Sequence, residues 1–121
     1  MSSVIFHSTK KVEKFIRSKG VFPEDLMYEI QEFFEKKNEA SKIKHVRFAL
    51  NDVIEEDKHV RRSLEVEICA DSLSIETFIE LNIMLALKFP SLNASVRIHC
   101  EYERKGREPL RKEGSKSVKA R

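Results

Sequence analysis

Apolar positions follow two rhythms along this chain. Over roughly the first forty residues they recur every three or four positions; from Ile43 onward they mostly alternate, apart from one long apolar block, IETFIELNIMLALKF. The first rhythm predicts two helices. One runs from about Lys10 to Lys19, with Val12, Phe15 and Ile16 on one face, Ser8 or Thr9 as its cap and Gly20 just past its end. The other opens with Pro23 at its first position and carries Glu24 and Asp25 in its first turn and Lys36 and Lys37 in its last. The proline suits a first helical position and the charged residues suit the helix macrodipole. Its buried stripe is Leu26, Met27, Ile30, Phe33 and Phe34.

The alternating rhythm predicts three strands. KHVRFAL directs Val46, Phe48 and Leu50 inward and His45, Arg47 and Ala49 outward. SLEVEIC directs Leu64, Val66 and Ile68 inward and Glu65, Glu67 and Cys69 outward. ASVRIHCEYE directs Val96, Ile98, Cys100 and Tyr102 inward and Arg97, His99 and Glu101 outward. Between the first two, NDVIEEDKHVRR reads as a long, polar, mobile loop closing an antiparallel hairpin.

The apolar block reads as a helix capped by Asp71, Ser72 or Ser74 and ended by Pro90. It is apolar almost all round, whereas a helix on one face of a sheet needs a single stripe of about 100°. Something must cover its second side. The two N-terminal helices are the natural cover, and a second copy of the chain is the other candidate. The expected fold class is therefore α+β, in the order α-α-β-β-α-β. A three-stranded mixed sheet packs one face on the apolar helix, with a right-handed crossover between its second and third strands and the N-terminal helices as further cover.

Length and charge refine this picture. A chain of 121 residues fits one domain, expected over 1–103, with a helical part at 1–40 and a ββαβ core at 43–103. Up to Glu103 there are 15 basic and 18 acidic residues; from Arg104 onward there are 8 basic and 2 acidic. A mildly acidic body is thus joined to a basic segment, 104–121, that lacks periodicity and is expected to be a flexible tail. No signal-peptide pattern opens the sequence and no apolar run nears the roughly 18 residues of a membrane span. With only two widely spaced cysteines, the expectation is a reduced, intracellular protein, cytoplasmic or nuclear.

Candidate chemistry is sparse. His99 and Cys100 are neighbours on a strand, so their side chains diverge and cannot act as a pair. The four histidines and two cysteines form no CxxC, HxxxH or HExxH spacing. Three isolated glycines cannot build a phosphate-cradling loop. No catalytic residue, cofactor or metal is expected. Two candidate surfaces remain. One is the outer sheet face, where Arg47, Glu65, Glu67, Arg97, His99 and Glu101 would pair across strands as a solvated, charged surface. The other is the tail, whose Arg104, Lys105, Arg107, Arg111, Lys112, Lys116, Lys119 and Arg121 can neutralise phosphates.

The segment SLEVEICADSLSIETFIELNIMLALKFPSLNASVRIHCEY resembles the strand–helix–strand of the N-terminal module of Gram-positive-type replicative DNA polymerases. The resemblance covers roughly a third of the chain, in hydrophobic pattern and the position of Phe89. It implies a protein-docking module within a larger assembly. The leading expectation is a non-enzymatic interaction or assembly domain that meets a protein partner or itself, with homodimerisation by strand-edge pairing favoured. The alternative is a nucleic-acid-binding accessory protein of a replication or RNA-processing assembly, acting through the tail.

Overall fold

The computed structural model describes residues 4–99. Cys100 and Tyr102, expected to point inward, Glu101, expected to point outward, and the whole tail lie outside the described residues. The fold is α+β, with three helices and a four-stranded mixed sheet in the spatial order β1-β2-β3-β4. The elements are β1 (Phe6–His7), α1 (Lys10–Ser18), α2 (Pro23–Lys36), β2 (Ile43–Ile54), β3 (Val60–Ala70), α3 (Ile75–Lys88) and β4 (Ser95–His99), with two short 3₁₀ turns before β2 and β4.

The sheet is one strand larger than the alternation predicts. β1 pairs parallel to β2 through Phe6 opposite Val46 and His7 opposite Arg47. A two-residue strand has no period to read. It is held by a partner 40 positions away, and the Val4 N–H donates to Gln31 Oε1 at 2.7 Å nearby. β2 and β3 are antiparallel, and β3 and β4 are parallel. The molecule is thus two strand–helix–strand crossovers joined at the β2–β3 hairpin.

Local chemistry sets the helix ends. Thr9 Oγ1 accepts from the Val12 N–H at 3.3 Å and caps α1. Beyond α1, Gly20 at φ +81° lets its own N–H reach the Arg17 carbonyl and the Val21 N–H reach that of Ile16. These two bonds satisfy carbonyls the helix leaves open. Asn38 does the same for α2 at φ +61°, with Glu39 N–H on the Phe34 carbonyl at 2.9 Å. Ser74 caps α3, accepting from the Thr77 N–H at 3.1 Å. Thr77 Oγ1 in turn donates to Glu39 Oε2 at 2.8 Å, tying α3 to the end of α2.

One core joins all these elements. Val12 and Ile16 of α1, Leu26, Ile30 and Phe34 of α2, and Leu81 and Leu85 of α3 meet Val46, Phe48, Leu64, Val66, Ile68 and Val96 of the sheet. These strand residues share one face, so the three helices form a single layer on it. Ile98 has the same parity but stays about half exposed on the edge strand β4.

The segment Asn51–Arg62 departs from the expected long loop. β2 continues to Ile54 and β3 begins at Val60, leaving only Glu55–His59 as the connection. Lys58 N–H donates to the Glu55 carbonyl at 2.7 Å, Glu55 N–H donates to the His59 carbonyl at 2.9 Å, and Lys58 is left-handed at φ +64°. A three-residue turn of this kind matches the twist of the strands it joins. The polar character that suggested a loop has another cause: this arm extends past the helix layer and is solvated on both faces, with Asp52 and Arg62 paired across it at 2.7 Å and 3.0 Å.

Candidate interaction surfaces

The outer sheet face is built by register. Arg47 of β2, Glu67 of β3 and Arg97 of β4 stand in one row across three strands. One row along lie Ala49, Glu65 and Ser95; on the other side lie His45, Cys69 and His99, paired through their backbones. The parallel β1 brings His7 beside Arg47, and its ring meets that of His45 edge-on at 5.1 Å. The structure therefore brings Arg47, Glu65, Glu67 and Arg97 together as the alternation predicts. It adds His7, which could not be assigned without β1. Glu101 and the eight basic tail residues lie outside the described residues.

The face is not uniformly solvated, however. Glu67 is only 7% exposed and Cys69 only 2%. β3 is flanked on both sides, so the long side chains of its neighbours close over it. Arg47 donates from Nε and Nη2 to Glu67 Oε1 at 2.9 Å and 2.6 Å. Burial pushes the Glu67 carboxyl up; the hydrogen bonds and charge of Arg47, a hydrogen bond with Glu65 and the charge of Arg97 outweigh it, leaving Glu67 below its ordinary value. Glu65 goes the other way. Burial raises it, and its hydrogen bond and proximity to the charged Glu67 raise it further, against the pull of Arg97 and Arg47. Two carboxyls two residues apart on one strand face have been driven apart by their surroundings. The result is one structural ion pair and one carboxyl that holds its proton more tightly than usual.

A cleft of about 290 Å³ lies where β1 stops and β2 runs on, lined by Ser8, Thr9, Lys11, Phe48, Ala49 and Leu50 among others. Both hydroxyls are already engaged: Ser8 Oγ donates to Glu13 Oε2 at 2.6 Å, and Thr9 caps α1. Among the described residues no three His, Cys, Asp or Glu side chains gather as a metal site would need. Nor, among them, is any helix long and apolar enough to cross a membrane.

The second surface lies on α3. Leu81 and Leu85 are fully buried, Thr77 is nearly so, and α2 flanks the helix through Lys37–Glu80 and Glu29–Lys88 ion pairs. The N-terminal helices cover α3 along one flank and leave its outward side open. Ile75 is 76% exposed, Ile79 49%, Ile83 52% and Leu87 76%. These four are spaced by four residues and form one continuous ridge. The geometric reason is the layer itself: α1 and α2 lie beside α3 on the sheet and not over it.

Compared with protein-family models, characterised proteins and solved structures, the chain finds no match. The resemblance of residues 63–102 to a polymerase module rests on hydrophobic pattern and the position of Phe89.

Proposed function

We propose that this protein is a non-enzymatic interaction or assembly domain that associates with its own kind. The observation that carries the reading is the aliphatic ridge of α3, four large side chains left in water by a fold that closes its core elsewhere. Larger contiguous apolar patches are rare on monomers, and an exposed row of large aliphatic side chains is the kind of surface that marks a contact. The outer sheet face supports the same reading from the opposite side of the molecule. Its charged groups pair with one another across strands, and the cleft beside it has its hydroxyls tied into the cap of α1 and a hydrogen bond to Glu13.

Sedimentation of the full chain over a hundredfold range of concentration tests the proposal. A mass that rises from one chain to two is the expected result. A single-chain mass throughout overturns self-association.

A second reading comes from the sequence of residues 104–121, with 8 basic and 2 acidic residues. It takes the protein as a nucleic-acid-binding accessory whose tail neutralises phosphates. Its affinity for single- or double-stranded DNA or RNA would fall steeply with salt and vanish on truncation at Glu103. Unchanged binding by the truncated chain overturns it.

A further inference from the structure

We infer that α3 is the interface of a two-fold dimer in which the helix packs antiparallel on the α3 of a second copy. The inference rests on the self-association proposed above and adds the surface, the orientation and the register.

Three features favour a second copy as the occupant. The first is symmetry. The ridge reads alike from either end, with its two outermost residues equally exposed and its two central ones about half exposed. A two-fold axis passing between Ile79 and Ile83 sets Ile75 against Leu87 of the partner and Ile79 against Ile83 of the partner. A two-fold interface requires this self-complementarity.

The second is charge. Glu76 and Glu80 border the ridge in its N-terminal half, while the C-terminal half has no acidic residue and ends at Lys88. A parallel pair would face Glu76 with Glu76 and Glu80 with Glu80. An antiparallel pair moves these carboxylates apart, turns Glu76 toward the lysine-bearing end of the partner, and opposes the helix dipoles. The same acidic border disfavours an anionic lipid surface as the occupant.

The third is fit. The ridge is an i±4 row, and a two-fold sets it against the same row of the partner, so the two helices cross near −50° with Ile79 and Ile83 at the closest contact and Ile75 and Leu87 flanking it. Ala86, small and exposed between Ile83 and Leu87, lets the backbones approach. The Lys37–Glu80 and Glu29–Lys88 pairs already stand on the flanks as a polar rim around an apolar centre.

Single cysteines at the ends of the ridge test this directly. In a Cys100→Ser background, Ile75→Cys and Leu87→Cys chains are prepared separately, then mixed and treated with a short thiol cross-linker. Both sites are exposed, so the fold tolerates them, and Cys69 is buried. The mixture should cross-link and neither variant alone should. In the antiparallel pair, like positions lie about 18 Å apart along the axis. Cross-linking of Ile75→Cys with itself overturns the antiparallel register.

A companion variant, Ile79→Lys with Ile83→Lys, should weaken self-association on the order of 100-fold or more. Its far-ultraviolet circular dichroism should stay unchanged, since both side chains are outside the core. A full-strength dimer of this variant, or a dimer that fails to cross-link, overturns the α3 interface while leaving self-association standing. A chain that sediments as a monomer at every concentration overturns both.

Discussion

On the inner face of β3, Leu64, Val66 and Ile68 lose all contact with water beneath three helices, whereas on its outer face Glu67 and Cys69 lose nearly as much with no helix above them. The inner face is closed by apolar contact, which neither salt nor pH disturbs. The outer face is closed by the reach of side chains on neighbouring strands and by the charge they carry. A strand can therefore be central in its sheet, and buried on both sides, in a sheet with a single helical layer. The two faces also differ in what disturbs them: a cavity on one side, a proton on the other.

Three substitutions sharpen that contrast. Ile68→Ala should cost the most, about 2–5 kcal/mol, because it removes apolar volume from a site with little freedom to collapse. Its cost in urea unfolding should be the same at pH 4 and pH 8. A strong pH dependence would mean that the inner face is not the purely apolar one. Glu67→Gln should cost less, about 1–2 kcal/mol at neutral pH, since it weakens two charge-assisted hydrogen bonds from an arginine that is itself half exposed. The folded value of Glu67 lies below its unfolded value near 4.5. Its stabilisation is therefore present above 4.5 and is lost as pH falls through the lowered folded value. The difference between wild type and Glu67→Gln should shrink over that interval and be reduced by high salt.

Glu65→Gln should have the smallest effect and the opposite sign. The folded value of Glu65 lies above 4.5, so its favourable contribution is present below 4.5 and lost as pH rises through the folded value. At neutral pH the ionised carboxylate is a liability beside Glu67. An amide there should raise the melting temperature slightly at pH 7 and leave it unchanged near pH 3. A lower melting temperature at pH 7 would contradict the assignment of the proton to Glu65.

Much of this architecture is legible in the sequence because it rests on local chemistry. Pro23, Thr9 and Ser74 begin their helices for reasons confined to a single turn, and alternation orients Arg47, Glu65, Glu67 and Arg97 on one face. What escapes is set at a distance. β1 is two residues long and owes its existence to β2. The burial of Glu67 depends on the length of side chains on other strands. In the Asn51–Arg62 arm, alternation persists, but without a covering layer neither of its faces is consistently apolar, so it passes for a loop. The surplus of apolar residues on α3 is plain from sequence. That α1 and α2 cover it along only one flank follows from their lying in the same layer.

The tight turn at Glu55–His59 has a consequence for the order in which the molecule assembles. β2 and β3 meet across a connection of a few residues, whereas Phe6 must find Val46 across 40 positions and Glu65 must find Ser95 across 30. Closing a long loop costs more chain entropy before any contact repays it. The hairpin is therefore expected to form early in folding, with the two parallel crossovers docking onto its edges afterwards. Lys58, at φ +64°, sits in a conformation that glycine adopts without penalty. Lys58→Gly should stabilise the protein by about 1 kcal/mol. If the turn is already made in the transition state, stopped-flow measurements will find most of that gain in a faster folding rate. If it appears as slower unfolding, the crossovers come first and the hairpin closes last.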